Sequence, residues 1–280
     1  MESSARNLQK TKAEAFKSLH ERTGMFVIPN PWDAGSAKIL ASLGFESLTT
    51  TSAGLAFSLG KPDGEGNVTR EETLRNAEAI VLATHLPVAG DLENGYGDDP
   101  ATCFETILLA ANSGLVGGSI EDATGRSENP IYSLDLAVER VKAAVKAARS
   151  LPFHFTLTAR AENHINGRHD IQDTVRRLQA FAEAGADVLF APGLKTRNEI
   201  ETVVKAVAPL PLNVVLGLTD TSLTLSELSD LGVKRVSLGS SLARSAYGAF
   251  TRAAEEIRHK GSFNFASAAI PYGEINALFK

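Results

Sequence analysis

The sequence predicts an α/β protein of the (β/α)8 TIM-barrel class. The leading observation is eight successive units, each an apolar strand-like run followed by a helix-like segment. A second is that no G-x-G-x-x-G turn follows the first strand and no G-x-x-x-x-G-K-[ST] loop occurs, which disfavours a doubly wound nucleotide-binding sheet. A third is that carboxylates and other polar residues recur at strand C-terminal ends far apart in sequence, where a barrel builds its site. No linker interrupts the units, so 1–280 reads as one barrel domain, with 240–280 as a C-terminal helix and oligomerisation tail.

Residues 11–21 read as a leading helix with Phe16 and Leu19 on its apolar side, a lid on the domain rather than its first strand. The first strand is 25–29, and its helix ends near Leu43 and Gly44. The second is 47–51, followed by a long glycine-rich segment through Gly66 and a helix over 70–84. Thr69 and Glu72 have capping-box spacing at the start of that helix. Strand three is the apolar run 86–89 leading into Gly90 and Asp91, with a helix over 101–113. Strand four is 115–120 with a helix over 134–148, and strand five is 153–160 with a helix over 171–184. Strand six is 187–191 with a helix around 198–207. Strand seven is 212–216 with a helix over 225–231, where Thr224 and Glu227 repeat the capping spacing. Strand eight is 234–239, and a long helix covers 242–260. Beyond it, Ile270, Ile275, Leu278 and Phe279 need a cover, either the barrel or another subunit.

The net charge of −5 comes from interspersed signs. There is no basic patch for nucleic acid and no lysine-rich amphipathic stretch for a membrane surface, so the expected partners are small molecules or copies of the chain. A single cysteine, Cys103, excludes an internal disulfide and suits a reducing setting. The N-terminal residues lack an apolar signal core, and a cytoplasmic location is expected.

In Asp91-Leu92-Glu93-Asn94-Gly95-Tyr96-Gly97 the two carboxylates share one side of an extended chain, because strand side chains repeat with period two. Alone the stretch also suits a solvated hairpin. In a barrel it joins Trp32 and Asp33 from strand one, Thr50, Ser52, Ala53 and Gly54 from strand two, and Glu121 and Asp122 from strand four. Arg160 and Glu162 follow strand five, and Asn213 lies on strand seven. Asp91, Glu93 and Glu121 make a hard-oxygen set suited to Mg²⁺, with Mn²⁺ as the alternative. Arg160 suits a substrate carboxylate or phosphonate, or else a salt bridge with Glu162 or Glu121. Ser52-Ala53-Gly54 offers backbone N–H groups to an anion. Asp122 and Arg126 either position substrate or pair with each other. His164 and His169, in the loop after strand five, either reach the rim or satisfy local loop hydrogen bonds, His154 reads as a core residue or one supporting the site from behind, and Cys103 as an ordinary buried one.

These segments, with Asn30-Pro31-Trp32-Asp33-Ala34-Gly35-Ser36-Ala37, Thr51-Ser52-Ala53-Gly54, Ile120-Glu121-Asp122 and Ala159-Arg160-Ala161-Glu162, resemble the isocitrate lyase and phosphoenolpyruvate mutase superfamily from about Phe26 to Arg244. The resemblance implies a metal shell containing Asp91 and Glu121, directly or through water, with Glu93 in the second position of the usual Asp-x-Asp pair. It matches Asp63 to a carboxylate on a mobile segment, Arg160 to an anion-binding arginine, and Ser52, Ala53 and Gly54 to the anion-binding turn. It also implies tetramers, often with the eighth helix exchanged between paired subunits.

Departures bear on the reaction. The cysteine loop of the lyases is replaced by Ala123-Thr124-Gly125-Arg126-Ser127-Glu128-Asn129-Pro130, the proline-glutamate after strand six becomes Pro192-Gly193, and the mutase's long lid is missing. The resemblance then implies a Mg²⁺-dependent C–C lyase or decarboxylase acting on a small α-keto or 2-hydroxy di- or tricarboxylate through a metal-bound enolate. A P–C phosphonomutase or C–C hydrolase is the alternative, and a non-catalytic carboxylate-binding homologue is a third reading.

Overall fold

A computed structural model describes residues 2–217 and 223–280. Eight parallel strands follow one another around a barrel: β1 (Phe26–Ile28), β2 (Leu48–Thr49), β3 (Val88–Asp91), β4 (Gly117–Glu121), β5 (Thr156–Arg160), β6 (Val188–Phe190), β7 (Leu212–Val215) and β8 (Arg235–Ser237). Hydrogen-bonded neighbours run β1-β8-β7-β6-β5-β4-β3-β2. Between β1 and β2 the seam is held by Thr49 N–H to the Pro29 carbonyl at 3.1 Å and by the Asn30 amide to the Thr50 carbonyl at 2.9 Å. The Asn30 carbonyl oxygen in turn accepts the N–H groups of Leu238 and Gly239 at 2.8 and 3.0 Å, so one side chain ties the ends of β1, β2 and β8.

The helices are α1 (Glu2–Glu21), α2 (Ala34–Ser42), α3 (Ser52–Ser58), α4 (Arg70–Ala83), α5 (Pro100–Asn112), α6 (Leu134–Ser150), α7 (Ile171–Glu183), α8 (Arg197–Val207), α9 (Leu225–Asp230), α10 (Ser241–Lys260) and α11 (Tyr272–Leu278), with a 3₁₀ turn at Asn264–Ala268. Both expected capping boxes form: Thr69 with Glu72 opens α4, and Thr224 with Glu227 opens α9. Each satisfies otherwise orphaned N–H groups in the first turn. Helix α3 departs from the expected glycine-rich loop. Thr51 caps it by accepting the Gly54 N–H at 3.2 Å, so Ser52, Ala53 and Gly54 form a helical first turn.

Helix α1 covers one end of the domain, as expected, but is longer than expected. Starting nine residues earlier than predicted, it seals the end of the barrel opposite the strand C-termini. Phe16 is fully buried with Phe26, Ile28, Ala89 and Val116. Gly117 makes room for it, since a Cβ there would lie 2.9 Å from the Phe16 ring and 2.8 Å from the Thr156 carbonyl oxygen. At the other extreme of the chain, α10 buries only Ala243 and leaves Tyr247, Phe250 and Ile257 exposed. The tail returns to α2, where Lys38 Nζ donates to the Phe279 carbonyl at 2.9 Å. No helix among the described residues is long and apolar enough to cross a membrane.

His20 links the plug to the barrel. Its ring stands edge-on to Phe16 and Phe26. Nδ1 lies 2.8 Å from the Phe16 carbonyl, which only accepts, so Nδ1 carries the proton and Nε2 is free to accept from Arg235 at 3.3 Å. Burial, then the Arg235 charge, hold the imidazole's pKa down to about 3. A folded-state pKa below the unfolded one gives stability that is complete above about pH 6.5 and lost as pH falls towards about 3. Urea unfolding from pH 7 to pH 4 is expected to show an added slope approaching ~1.4 kcal/mol per pH unit. His20→Gln should lack that component, and equal slopes in the two proteins would contradict it.

Candidate active site

The strand C-termini and the loops after them enclose a cavity of about 1150 Å³. Asp63, Asp91, Glu93, Glu121, Arg160, Ser52, Ala53 and Asn213 all line it. On β5, β7 and β8 the lining residues alternate, Thr158 with Arg160, Asn213 with Val215 and Arg235 with Ser237, as the pleat requires. Asp91 ends β3, Glu121 ends β4 and Arg160 ends β5. The parallel register sets Asp91 beside Ser119 and Glu121 beside Arg160.

Arg160 is the hub. Its NH1 lies 3.0 Å from Asp91 Oδ1 and 3.2 Å from Glu121 Oε2, and its Nε donates to Glu162 Oε1 at 2.9 Å. Asp91 is held from its other side: Oδ2 accepts Ser52 N–H at 3.1 Å and Ser52 Oγ at 2.9 Å. The Asp91 N–H is fixed by Thr50 Oγ1 at 2.8 Å. Next in the chain, Glu93 and Tyr96 have φ of 47° and 65°. This left-handed geometry is costly for side-chain-bearing residues, and here it turns the Glu93 segment over the cavity. Asn94 Oδ1 supports the turn by accepting the Tyr96 N–H at 3.0 Å.

Asp63, Asp91, Glu93, Glu121 and Glu162 thus share the cavity wall with Arg160. Burial, then Asp91 and Asp63, raise the Glu93 carboxyl to about 8. Glu121 is pushed well above the usual range by burial, against the pull of Arg160. Asp63, on the solvent-exposed side of the cavity, is raised by desolvation and then by Asp91. Burial would lower Arg160, but the charges of Glu162, Glu121 and Asp91 outweigh it and hold it above its ordinary value. Negative charge in excess of its counter-charge, carried on hard oxygens, is a donor set that fits Mg²⁺ or Mn²⁺. Among the described residues no three His, Cys, Asp or Glu side chains converge tightly enough to enclose an ion by themselves. The expected set of Asp91, Glu93 and Glu121 lines one cavity together. The Asp91 oxygens are already engaged by Ser52 and Arg160, and the site fits an ion that keeps several waters.

Of the other expected placements, some change and some hold. Trp32 is not among the residues that line the cavity, and its Cβ lies 3.0 Å from where a Gly54 Cβ would be. β1 ends at Ile28, and the chain has left the barrel interior before Trp32. Gly54 packs against Trp32 and Thr51 and gives its N–H to the Thr51 cap. Of the expected anion turn, the Ser52 N–H goes to Asp91. Asp33 caps α2 through the Ser36 N–H at 2.7 Å. Asp122 and Arg126 do not meet: Asp122 is buried against Arg177 at 3.0 Å and accepts the Glu162 N–H at 2.7 Å, while Arg126 pairs with Asp98 at 3.0 Å. His164 is buried against Thr174 Oγ1 at 3.0 Å, away from the cavity. His154 lies 3.7 Å from Asp187. Cys103 is buried and its thiol is raised by burial.

Sequence reasoning overlooked Arg235, Thr158 and Ser237, which also line the cavity. Their signal was the same period-two spacing, with Arg235 and Ser237 on β8 and Thr158 two residues before Arg160. Burial pushes the Arg235 guanidinium down to about 9.

Fold and cavity together define a (β/α)8-barrel protein with an acidic mouth. The phosphoenolpyruvate phosphomutase family model matches residues 16–258, and the chain belongs to that family, within the PEP mutase/isocitrate lyase superfamily. A crystal structure from Burkholderia cenocepacia J2315, described as a "putative lyase/mutase", is 57% identical, with a TM-score of 0.95 and 97% of each chain covered. Oxaloacetate decarboxylase of Bradyrhizobium diazoefficiens is 30% identical over 214 residues, 74% of this chain and 71% of that one. A phosphonopyruvate hydrolase solved with oxalate and Mg²⁺ is 26% identical, with a TM-score of 0.85 and 95% and 94% of the two chains covered.

Behind the site, Asp122 accepts the Glu162 N–H and is paired with Arg177. Arg177→Met leaves that carboxylate buried and unpaired, at an expected cost of ~3–5 kcal/mol. Urea unfolding measures this, and a loss under ~1 kcal/mol would show that Asp122 does not depend on the pair.

Proposed function

We propose that the protein is a Mg²⁺-dependent carbon–carbon lyase or decarboxylase acting on a small 2-oxo or 2-hydroxy di- or tricarboxylate. The observation that carries this reading is the cluster of Asp63, Asp91, Glu93, Glu121 and Glu162 around Arg160 in one cavity at the strand C-termini. The family membership, the decarboxylase relative and the neighbour holding oxalate with Mg²⁺ support it.

Asp91 and Glu121, with Glu93 above them, would hold the ion directly or through water. A bound Mg²⁺ supplies electrophilic stabilisation to negative charge developing on a substrate oxygen. The chain's own part is positioning. Ser52 and Thr50 fix Asp91, and Glu162 fixes the plane of the Arg160 guanidinium, whose fork suits a carboxylate. Holding the acid in one orientation aligns the bond to be broken, and the enclosed walls limit water.

The test is a screen of oxaloacetate, methylisocitrate, dimethylmalate and phosphonopyruvate by direct product detection. Turnover of a di- or tricarboxylate is expected, abolished by EDTA and restored by Mg²⁺. Asp91→Ala should lower it by about 100-fold or more while the protein stays folded. EDTA-insensitive turnover, or full activity in Asp91→Ala, would sink the metal assignment.

We also infer a homo-oligomer, because Phe250 and Phe263 are 71% and 66% exposed on a C-terminal region that buries little against its own barrel. Light scattering should give a mass that is a multiple of the chain, and Phe250→Glu should shift it downward. A wild-type mass of one chain would refute this.

A further inference from the structure

Arg235 is a cation that the function proposed above leaves unused. It lines the cavity at only 6% exposure, and among the described residues no carboxylate pairs with it. The other arginines on the wall differ. Arg160, Arg70 and Arg126 are in ion pairs, and Arg244 is exposed on α10. A buried charge without a partner is expensive and calls for a reason.

Its contacts are three neutral groups from three parts of the fold. Nε donates to Asn213 Oδ1 at 2.8 Å, NH2 donates to Thr158 Oγ1 at 3.0 Å, and NH1 faces His20 Nε2 at 3.3 Å. A guanidinium only donates, so the Asn213 atom facing it must be the carbonyl oxygen. The Asn213 NH2 is thereby turned to Ser237 Oγ at 3.0 Å. One of its two hydrogens serves Ser237, and the second has no protein acceptor among the described residues.

We propose that Arg235 is a positioning residue for anion recognition, locking Asn213 with its NH2 as donor and placing an uncompensated positive charge beneath it for a ligand carboxylate. The inference rests on the small-acid reading above and adds an anion-favouring floor separate from Arg160, whose charge is shared with three carboxylates. His20 anchors the guanidinium from α1, outside the cavity, so Arg235 keeps its orientation without help from the ligand.

The test is calorimetric titration of oxalate in the presence of Mg²⁺, on the full chain. Arg235→Gln is expected to weaken oxalate by at least about tenfold at unchanged stoichiometry, as loss of the positive charge and of the Asn213 lock would. Arg235→Lys, which keeps the charge without the fork, should recover part of that loss. A merely structural role would lower the binding-competent fraction and leave Kd alone. Asn213→Asp supplies the missing counter-charge and should raise the melting temperature while abolishing oxalate binding. It reads the uncompensated charge even where Arg235→Gln does not fold. Unchanged Kd in both Arg235 variants, or no rise in melting temperature in Asn213→Asp, overturns the inference and leaves the small-acid reading standing. Absence of oxalate binding to the wild type removes both.

Discussion

The structure turns on a charge imbalance around Arg160. One guanidinium reaches Asp91 on β3, Glu121 on β4 and Glu162 beyond β5, so it is at once the electrostatic centre of the cavity and the tie between adjacent strand ends. Its partners are fixed in turn by groups further out, Asp91 by Ser52 and Thr50, and the Glu162 backbone by Asp122. Rigid surroundings keep like charges close that would otherwise separate. The crowding of like charges, expressed in the raised Glu93 and Glu121 carboxyls, is the feature on which the proposed binding of a hard cation rests.

The interior is divided by polarity along its axis. Around the mouth lie carboxylates and Arg160, and below them a neutral layer of Asn213, Ser237 and Thr158 surrounds Arg235. Lower still, Phe16 and its neighbours close the end. Small residues in β3 and β4 make this arrangement fit. Gly117 admits the Phe16 ring, and a Cβ on Gly118 would lie 2.7 Å from Leu92. Leu92 itself is fully buried and packs outward from the strand that presents Asp91.

Much of this was legible in the sequence for reasons of period and chemistry. Eight apolar runs with helix starts such as Thr69–Glu72 made the barrel readable. The strand-end positions of Asp91, Glu121 and Arg160 made one cavity predictable from residues distant in sequence. Helix α3 was illegible because its seven residues include Gly54 and show too few turns for an apolar stripe. Trp32 and Asp33 read as rim residues because they closely follow a strand, yet the chain there already turns towards α2. The pairing of Asp122 with Arg177 spans 55 residues and two elements, and no local pattern encodes it. A lone charge at a strand start reads as surface, which hid Arg235 until the pleat placed it inward.

The plugged end makes the cavity a cul-de-sac. With Phe16 and the His20 ring filling the barrel behind Arg235, whatever reaches Arg160 arrives through the strand-C-terminal mouth and departs the same way. A cleaved acid would leave as two fragments through one doorway, in an order set by which fragment stands nearer the threshold. Helix α1, remote from every carboxylate in the cavity, thereby imposes traffic rules on the molecule as well as a floor.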